Sequence, residues 1–303
     1  MGFDRLFLFG TAVLALTGAS ARAQAPIPVD ATTYARAADH YVTIDGARLR
    51  IRDEGDRKAP PIILVHGFSF SLESWDDWAA DLARDHRVIR YDLAGHGLSA
   101  PDPKGRYGTL DRVHELRGLM NRLHIRKAVI AGNSFGGLVA WNFAALYPER
   151  VNRLILVDSA AFSINGVTER PVAVPAMMRL YLQAPSPAAV AGSAGAIFAH
   201  PERLSAERLA LMRAMIARNG PALIAHLEQF TLPEPRPALA RITAPTLILW
   251  GRADRVVPVA QAADLSAAIR ASQLIIYDDV GHAPQEEASS RSIADVRTFL
   301  NNK

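Results

Sequence analysis

The 303-residue chain is predicted to fold as α/β, a doubly wound and mostly parallel sheet with an antiparallel N-terminal hairpin and a helical insertion. Three observations lead there. Short uninterrupted apolar runs alternate with helical patterns, as parallel strands covered on both faces require. A hairpin signal, Asp45-Gly46, sits between two short strands. The stretch 162–241 breaks the alternation and holds helix-like pieces without a strand. A (β/α)₈ barrel is the rival architecture, but the parallel strands fall short of eight.

The composition bounds the function classes. Half of the residues are hydrophobic and 21% are charged, which excludes a disordered or collagen-like chain. Net charge is +4 with no run of five basic residues, so no nucleic-acid-binding face is expected. Without cysteine there is no disulfide, no zinc-thiolate site and no Cys nucleophile.

The elements follow in order. Leu6–Ala19 is an apolar run too short to span a bilayer, and it precedes Ala-x-Ala options ending at Ala23 or Ala25. Residues 1–25 are therefore expected to be a signal peptide, making the protein periplasmic or secreted. An uncleaved membrane anchor is the alternative; the mature chain carries no expected span. Residues 26–161 form the first part of a core and 242–303 the second, with 162–241 as a helical cap. The hairpin covers Tyr41–Arg52. Strands are expected at Ile62–Val65, Val88–Tyr91, Ala128–Ala131, Leu154–Val157, Thr246–Trp250 and Leu274–Tyr277. Leu110, Val113, Leu116, Leu119, Met120 and Leu123 mark one helical stripe, and Phe135–Tyr147 is a helix stopped by Pro148. Within the cap, helices are expected at Pro175–Leu182, Ala189–Phe198, Leu204–Arg218 and Pro221–Phe230, punctuated by prolines.

Three places carry chemistry. Gly132-Asn133-Ser134-Phe135-Gly136-Gly137 lies between a strand and a helix, the setting of a G-x-S-x-G nucleophile elbow. A strand turning at once into a helix needs small residues two before and two after the serine. The hydroxyl then projects at a helix N-terminus, where backbone N–H groups favour negative charge. Ser134 is thus the candidate nucleophile, and a serine needs a base. His282, in the loop after the last strand, is the best placed of nine histidines. Its orienting acid is expected to be Asp254, which closely follows the preceding strand. Asp158, one strand nearer, is the rival. Third, His66-Gly67-Phe68 follows Ile62–Val65. The N–H groups of Phe68 and Phe135 are the expected oxyanion hole, with His66 holding the loop by hydrogen bonds. The loop from Asp92 through Gly95 to Gly97 reads as a similar glycine-shaped turn.

Taken together, these stretches resemble the α/β-hydrolase fold family from about Tyr41 to Leu300. The motifs His66-Gly67, Asp92-x-x-Gly95-x-Gly97, Gly132-x-Ser134-x-Gly136, the Asp254 loop and Gly281-His282 stand in the family's order. Ser134 in place of aspartate separates the chain from the haloalkane dehalogenase and epoxide hydrolase branches. The elbow looks like that of carbon–carbon hydrolases acting on meta-cleavage products. Phe68-Ser69-Phe70-Ser71 and Ala283 depart from that branch, which has Gly-Pro-Gly and Trp there. The stretch from His66 to Trp75 is also similar to esterases and cofactor-free haloperoxidases. The resemblance implies a serine hydrolase acting on a small to medium, partly apolar carboxylic ester. A carbon–carbon hydrolase, an acyltransferase or perhydrolase, and a ligand-binding receptor are the alternatives. The partner is a small molecule, and nothing calls for a metal or organic cofactor. Met177, Met178, Tyr181, Phe198, Met212 and Phe230 are expected to line the pocket from the cap.

Overall fold

The computed structural model describes residues 30–302. The expected export segment at 1–25 lies outside them. Among the described residues, no helix is long and apolar enough to cross a membrane.

Eight strands form one sheet: β1 (His40–Ile44), β2 (Ala47–Glu54), β3 (Pro61–Val65), β4 (Arg87–Tyr91), β5 (Ala128–Asn133), β6 (Val151–Val157), β7 (Thr246–Gly251) and β8 (Ser272–Tyr277). Their order is β1-β2-β4-β3-β5-β6-β7-β8. Strand β1 pairs β2 and β2 pairs β4 antiparallel, and every later pairing is parallel. The hairpin turns on Asp45 and Gly46, both with positive φ (49° and 94°), as a tight turn matched to strand twist requires. Each predicted strand is present, extended by one to three residues.

The apolar runs are continuous because both faces are covered. Ile63, Val65, Ile130, Leu154 and Ile248 face one buried cluster, and their neighbours Ile62, Leu64, Val129, Ile155 and Leu247 face the other. Helices α2 (Thr109–Arg122) and α3 (Phe135–Leu146) cover the first face; α1 (Asp76–Leu82) and α10 (Ser289–Asn301) cover the second. Four residues of the predicted α2 stripe, Val113, Leu116, Leu119 and Met120, are fully buried. Leu110 is not part of it: in the first turn of α2, it is 55% exposed.

Arginines alternate with apolar residues along β2. Leu49 and Ile51 enter the first cluster, while Arg50 and Arg52 point to the opposite side and are buried there. Arg50 Nε donates to Asp39 (2.7 Å) and Nη2 to Glu73 (2.6 Å), and Nη1 meets Asp92 (3.3 Å). Arg52 shares Asp39 and Glu73. Arg90 of β4 pairs with Glu54 (2.7 Å) and Asp76.

Between β6 and β7 stand α4 (Ala176–Gln183), α5 (Pro187–Ile197), α6 (Ala206–Gln229) and the short α7 (Arg236–Leu239). Ser186 and Ser205 cap α5 and α6 by accepting N–H groups three residues on. The two helices expected at Leu204–Arg218 and Pro221–Phe230 are one, running through Pro221. The chain stays helical there because packing overrides the proline. A Cβ at Gly220 would lie 2.3 Å from the Leu182 carbonyl, so α6 presses directly on the end of α4. Asn219 Nδ2 further ties this turn to the Gly97 carbonyl of the core (2.9 Å).

Candidate active site

Every residue with a chemical role in view lies just past the C-terminal end of a parallel strand. His66 follows β3, Asp92 β4, Ser134 β5, Asp158 β6, Asp254 β7, and His282 lies beyond β8. The winding reverses between β3 and β5, and in open α/β sheets the crevice outside that point receives ligands.

Ser134 has φ 56° and ψ −118°, a conformation costly for a side-chain-bearing residue. Two glycines make it accessible. A Cβ at Gly132 would lie 2.1 Å from the Gly136 carbonyl, and one at Gly136 2.1 Å from the Val65 carbonyl. The elbow is held by Ser134 N–H to Val157 O (2.9 Å) and Ala160 N–H to Ser134 O (3.1 Å). Phe135 opens α3, so its N–H is among those lacking a partner within the helix.

The loop after β3 passes beside the serine: a Cβ at Gly67 would come within 3.2 Å of Ser134 Cβ. His66 fixes that loop. Its Nδ1 contacts the Gly67 carbonyl (2.8 Å) and its Nε2 accepts the Leu93 N–H (3.0 Å), which defines a neutral ring with the proton on Nδ1. Burial pulls its pKa down from 6.5 to about 4. The neutral ring therefore contributes stability in full above pH 6.5, and this is lost as pH falls toward 4, a contribution of roughly 3 kcal/mol. Wild-type denaturation midpoints are expected to fall across that window and His66→Asn to flatten the fall. Equal slopes for the two proteins would count against the assignment.

The loops after β7 and β8 are pressed together, since a Cβ at Gly251 would lie 1.9 Å from the Gly281 carbonyl. This brings His282 Nδ1 within 2.7 Å of Asp254 Oδ2. The other oxygen of Asp254 accepts the N–H groups of Val256 (2.7 Å) and Val257 (2.9 Å). Asn133 Nδ2 donates to the His282 carbonyl (3.1 Å), linking the elbow to the histidine loop. Asp158 lies alongside, and one atom from each of Asp158, Asp254 and His282 falls within 4.8 Å of the others. Among the described residues this is the one grouping with the geometry of a metal site. Both oxygens of Asp254 are already hydrogen-bonded, one to the two backbone N–H groups and the other to His282.

Ser134 and His282 line a common cavity of about 260 Å³. Phe68 and Phe135 line it from the core, and Met178, Tyr181 and Phe230 from the helical insertion. Three expected lining residues do not. Met177 is 46% exposed on the outer side of α4. Phe198 and Met212 pack with Phe70 and Val190 in a separate buried cluster. Helical spacing identified these side chains as apolar but not which side of each helix meets the cavity.

His226 was not anticipated. It is buried on α6, faces the cavity, and its ring packs edge-on against Phe135 (centroids 4.2 Å apart). Burial drives its pKa well below 6.5. The available signal was a polar residue on the apolar stripe Leu223, Leu227, Phe230. A second, larger depression of about 580 Å³ is lined by charged groups such as Asp76, Arg208 and Glu286, and shares no lining residue with the first.

The sequence profile of the alpha/beta hydrolase fold matches residues 60–289. The chain belongs to that family and is a hydrolase. It is 30% identical over 277 residues to the 2-hydroxy-6-oxo-2,4-heptadienoate hydrolase of Pseudomonas putida, covering 86% of this chain and 95% of that one. Among solved structures it resembles a bacterial membrane phospholipase A, with TM-score 0.77, 25% identity, and coverage of 87% of this chain and 85% of that one. It also resembles the enol-lactonase of Burkholderia xenovorans, with TM-score 0.75, 26% identity, and coverage of 87% and 100%.

Proposed function

We propose that this hydrolase cleaves a small to medium, uncharged and partly apolar carboxylic ester through Ser134, His282 and Asp254. The observation that carries the reading is the cavity wall. It contains no lysine, arginine, aspartate or glutamate, and its two imidazoles are His226 and His282. A substrate carboxylate buried there would meet no fixed cation, and an unpaired buried charge is costly. An uncharged ester incurs no such penalty.

In this mechanism His282 accepts the Ser134 proton as Ser134 Oγ attacks the acyl carbonyl carbon. Asp254 holds the ring in its tautomer and stabilises the imidazolium. The N–H groups of Phe68 and Phe135 receive the oxyanion, where each donor is worth about 2.7–4 kcal/mol in the transition state. Collapse of the tetrahedral intermediate expels the alcohol, which takes the proton from His282. Water activated by His282 then cleaves the acyl-enzyme and releases the acid. Helices α4–α6 act as a cap that bounds the substrate. The apolar leader at 1–25 supports placing the mature enzyme outside the cytoplasm.

A second reading, hydrolysis of a carbon–carbon bond, draws on the likeness to the dienoate hydrolase. The test compares p-nitrophenyl esters of neutral acyl chains, the same esters bearing a terminal carboxylate, and 2-hydroxy-6-oxo-2,4-heptadienoate. Neutral esters are expected to be turned over best, with the carboxylated ones slower by about 10²-fold, the cost of one poorly solvated charge. Higher kcat/KM on the dienoate than on any ester would transfer the assignment to the second reading. Acyl transfer to added alcohol or peroxide would appear in the product ratio, and binding without turnover would mark a receptor.

A further inference from the structure

Asp158 is an unusual neighbour for a catalytic acid. It follows β6 directly and adopts φ 43°, which few non-glycine residues do. Its N–H donates to the Leu249 carbonyl (3.0 Å), and its side chain is fully buried. Oδ1 accepts the Gly251 N–H (2.8 Å). Oδ2 is buried with no hydrogen-bond partner, although Asp254 and His282 stand beside it. An orphaned, ionised oxygen at such a place is expensive, and two adjacent carboxylates cannot both hold their charge. Asp254 is the one surrounded by donors, with two backbone N–H groups on one oxygen and the imidazole on the other.

We propose that Asp158 and Asp254 hold one proton between them. Asp158 is the neutral carboxyl that donates through Oδ2 to Asp254, steadies it against His282, and replaces it as the orienting acid when Asp254 cannot ionise. The orphaned oxygen thereby gains a partner without any donor being added. The direction of titration agrees: burial first, then the charge of Asp254, push Asp158 well above the usual carboxylate range. Glu287 of α9 (Pro284–Glu287) pushes the same way, and Tyr277 at the end of β8 is the other titratable group facing it. The inference rests on the triad reading for its catalytic consequence, but not for the shared proton.

The test is a set of variants at the two positions, read by ester turnover, by the rate of fluorophosphonate labelling and by NMR titration of the His282 ring. Asp254→Asn alone is expected to lose about 10²-fold in kcat, while Asp158→Asn/Asp254→Asn loses the roughly 10⁴-fold seen when an orienting acid has no substitute. In Asp254→Asn the residual rate rises with pH as Asp158 loses its proton. Asp158→Ala, which removes the donor to Asp254, lowers kcat about tenfold, and Asp158→Asn, whose amide can still donate, loses less than Asp158→Ala. In the ring titration, Asp254→Asn keeps His282 more basic than the double variant does. That readout stands even if wild type hydrolyses no ester and takes no label, a result that would sink the ester reading alone. Equal rates and equal ring titrations for Asp254→Asn and the double variant would overturn the acid pair.

Discussion

Ser134→Ala is expected to abolish covalent labelling by a fluorophosphonate and to lower kcat on p-nitrophenyl butyrate by about 10⁶-fold, the scale set by serine loss in a triad enzyme. The reason is local. The strained turn at Ser134 brings its Oγ to the cavity wall that His282 also lines, beside the first N–H groups of α3. No other hydroxyl on the wall has that setting: Ser69 lies in the loop after β3, and Ser193 is bonded to Tyr181 and to the Val190 carbonyl. His282→Ala is expected to cost about as much, and the double variant no more, because nucleophile and base act as a unit. Labelling of Ser134→Ala at wild-type rate would remove the nucleophile assignment.

Arg50→Met is expected to destabilise the fold by about 3–5 kcal/mol, the cost of stranding buried charges, and to lower the melting temperature by roughly 10 °C. Arg50 has no exposed surface and meets three carboxylates, those of Asp39, Glu73 and Asp92. Glu73 keeps Arg52 and Ser71 when Arg50 is lost, but Asp92 loses its one ion-pair partner among the described residues. Asp92 also accepts the N–H groups of Leu72 (2.7 Å) and Leu98 (2.8 Å), so the loss spreads into two loops beneath the insertion. Arg50→Lys is expected to recover little, because one ammonium cannot reproduce a fork directed at three acids. A melting temperature within two degrees of wild type, by calorimetry, would show that the cluster contributes nothing net.

Much of this was legible in the residues because the physics is local. Strands β3, β5, β6 and β7 announce themselves as apolar runs, since both faces of the sheet are covered there. The hairpin is legible because Asp-Gly satisfies two positive φ angles, and the elbow because only glycine fits at 132 and 136. The meeting of Asp254 with His282 follows from the order of strands β7 and β8. What escaped depends on distance in sequence. Pro221 reads as a break, and the contacts that hold α6 at this turn, Gly220 against Leu182 and Asn219 on Gly97, are distant in sequence. Met177 and Met178 are neighbours with the same chemistry, yet one faces solvent and the other the cavity. Asp158 looked like a rival to Asp254, whereas the fold sets the two side by side.

The uncharged wall that suits an ester has a further effect after the chemistry is over. On the proposed ester reading, hydrolysis turns a neutral guest into an anion, and none of the residues lining the cavity is a Lys or Arg that would supply a countercharge. The newly made acid is therefore driven toward solvent by the same desolvation cost that excluded charged substrates. Turnover by this protein should accordingly slow little as carboxylate accumulates, and the free acid should compete only weakly with its own ester.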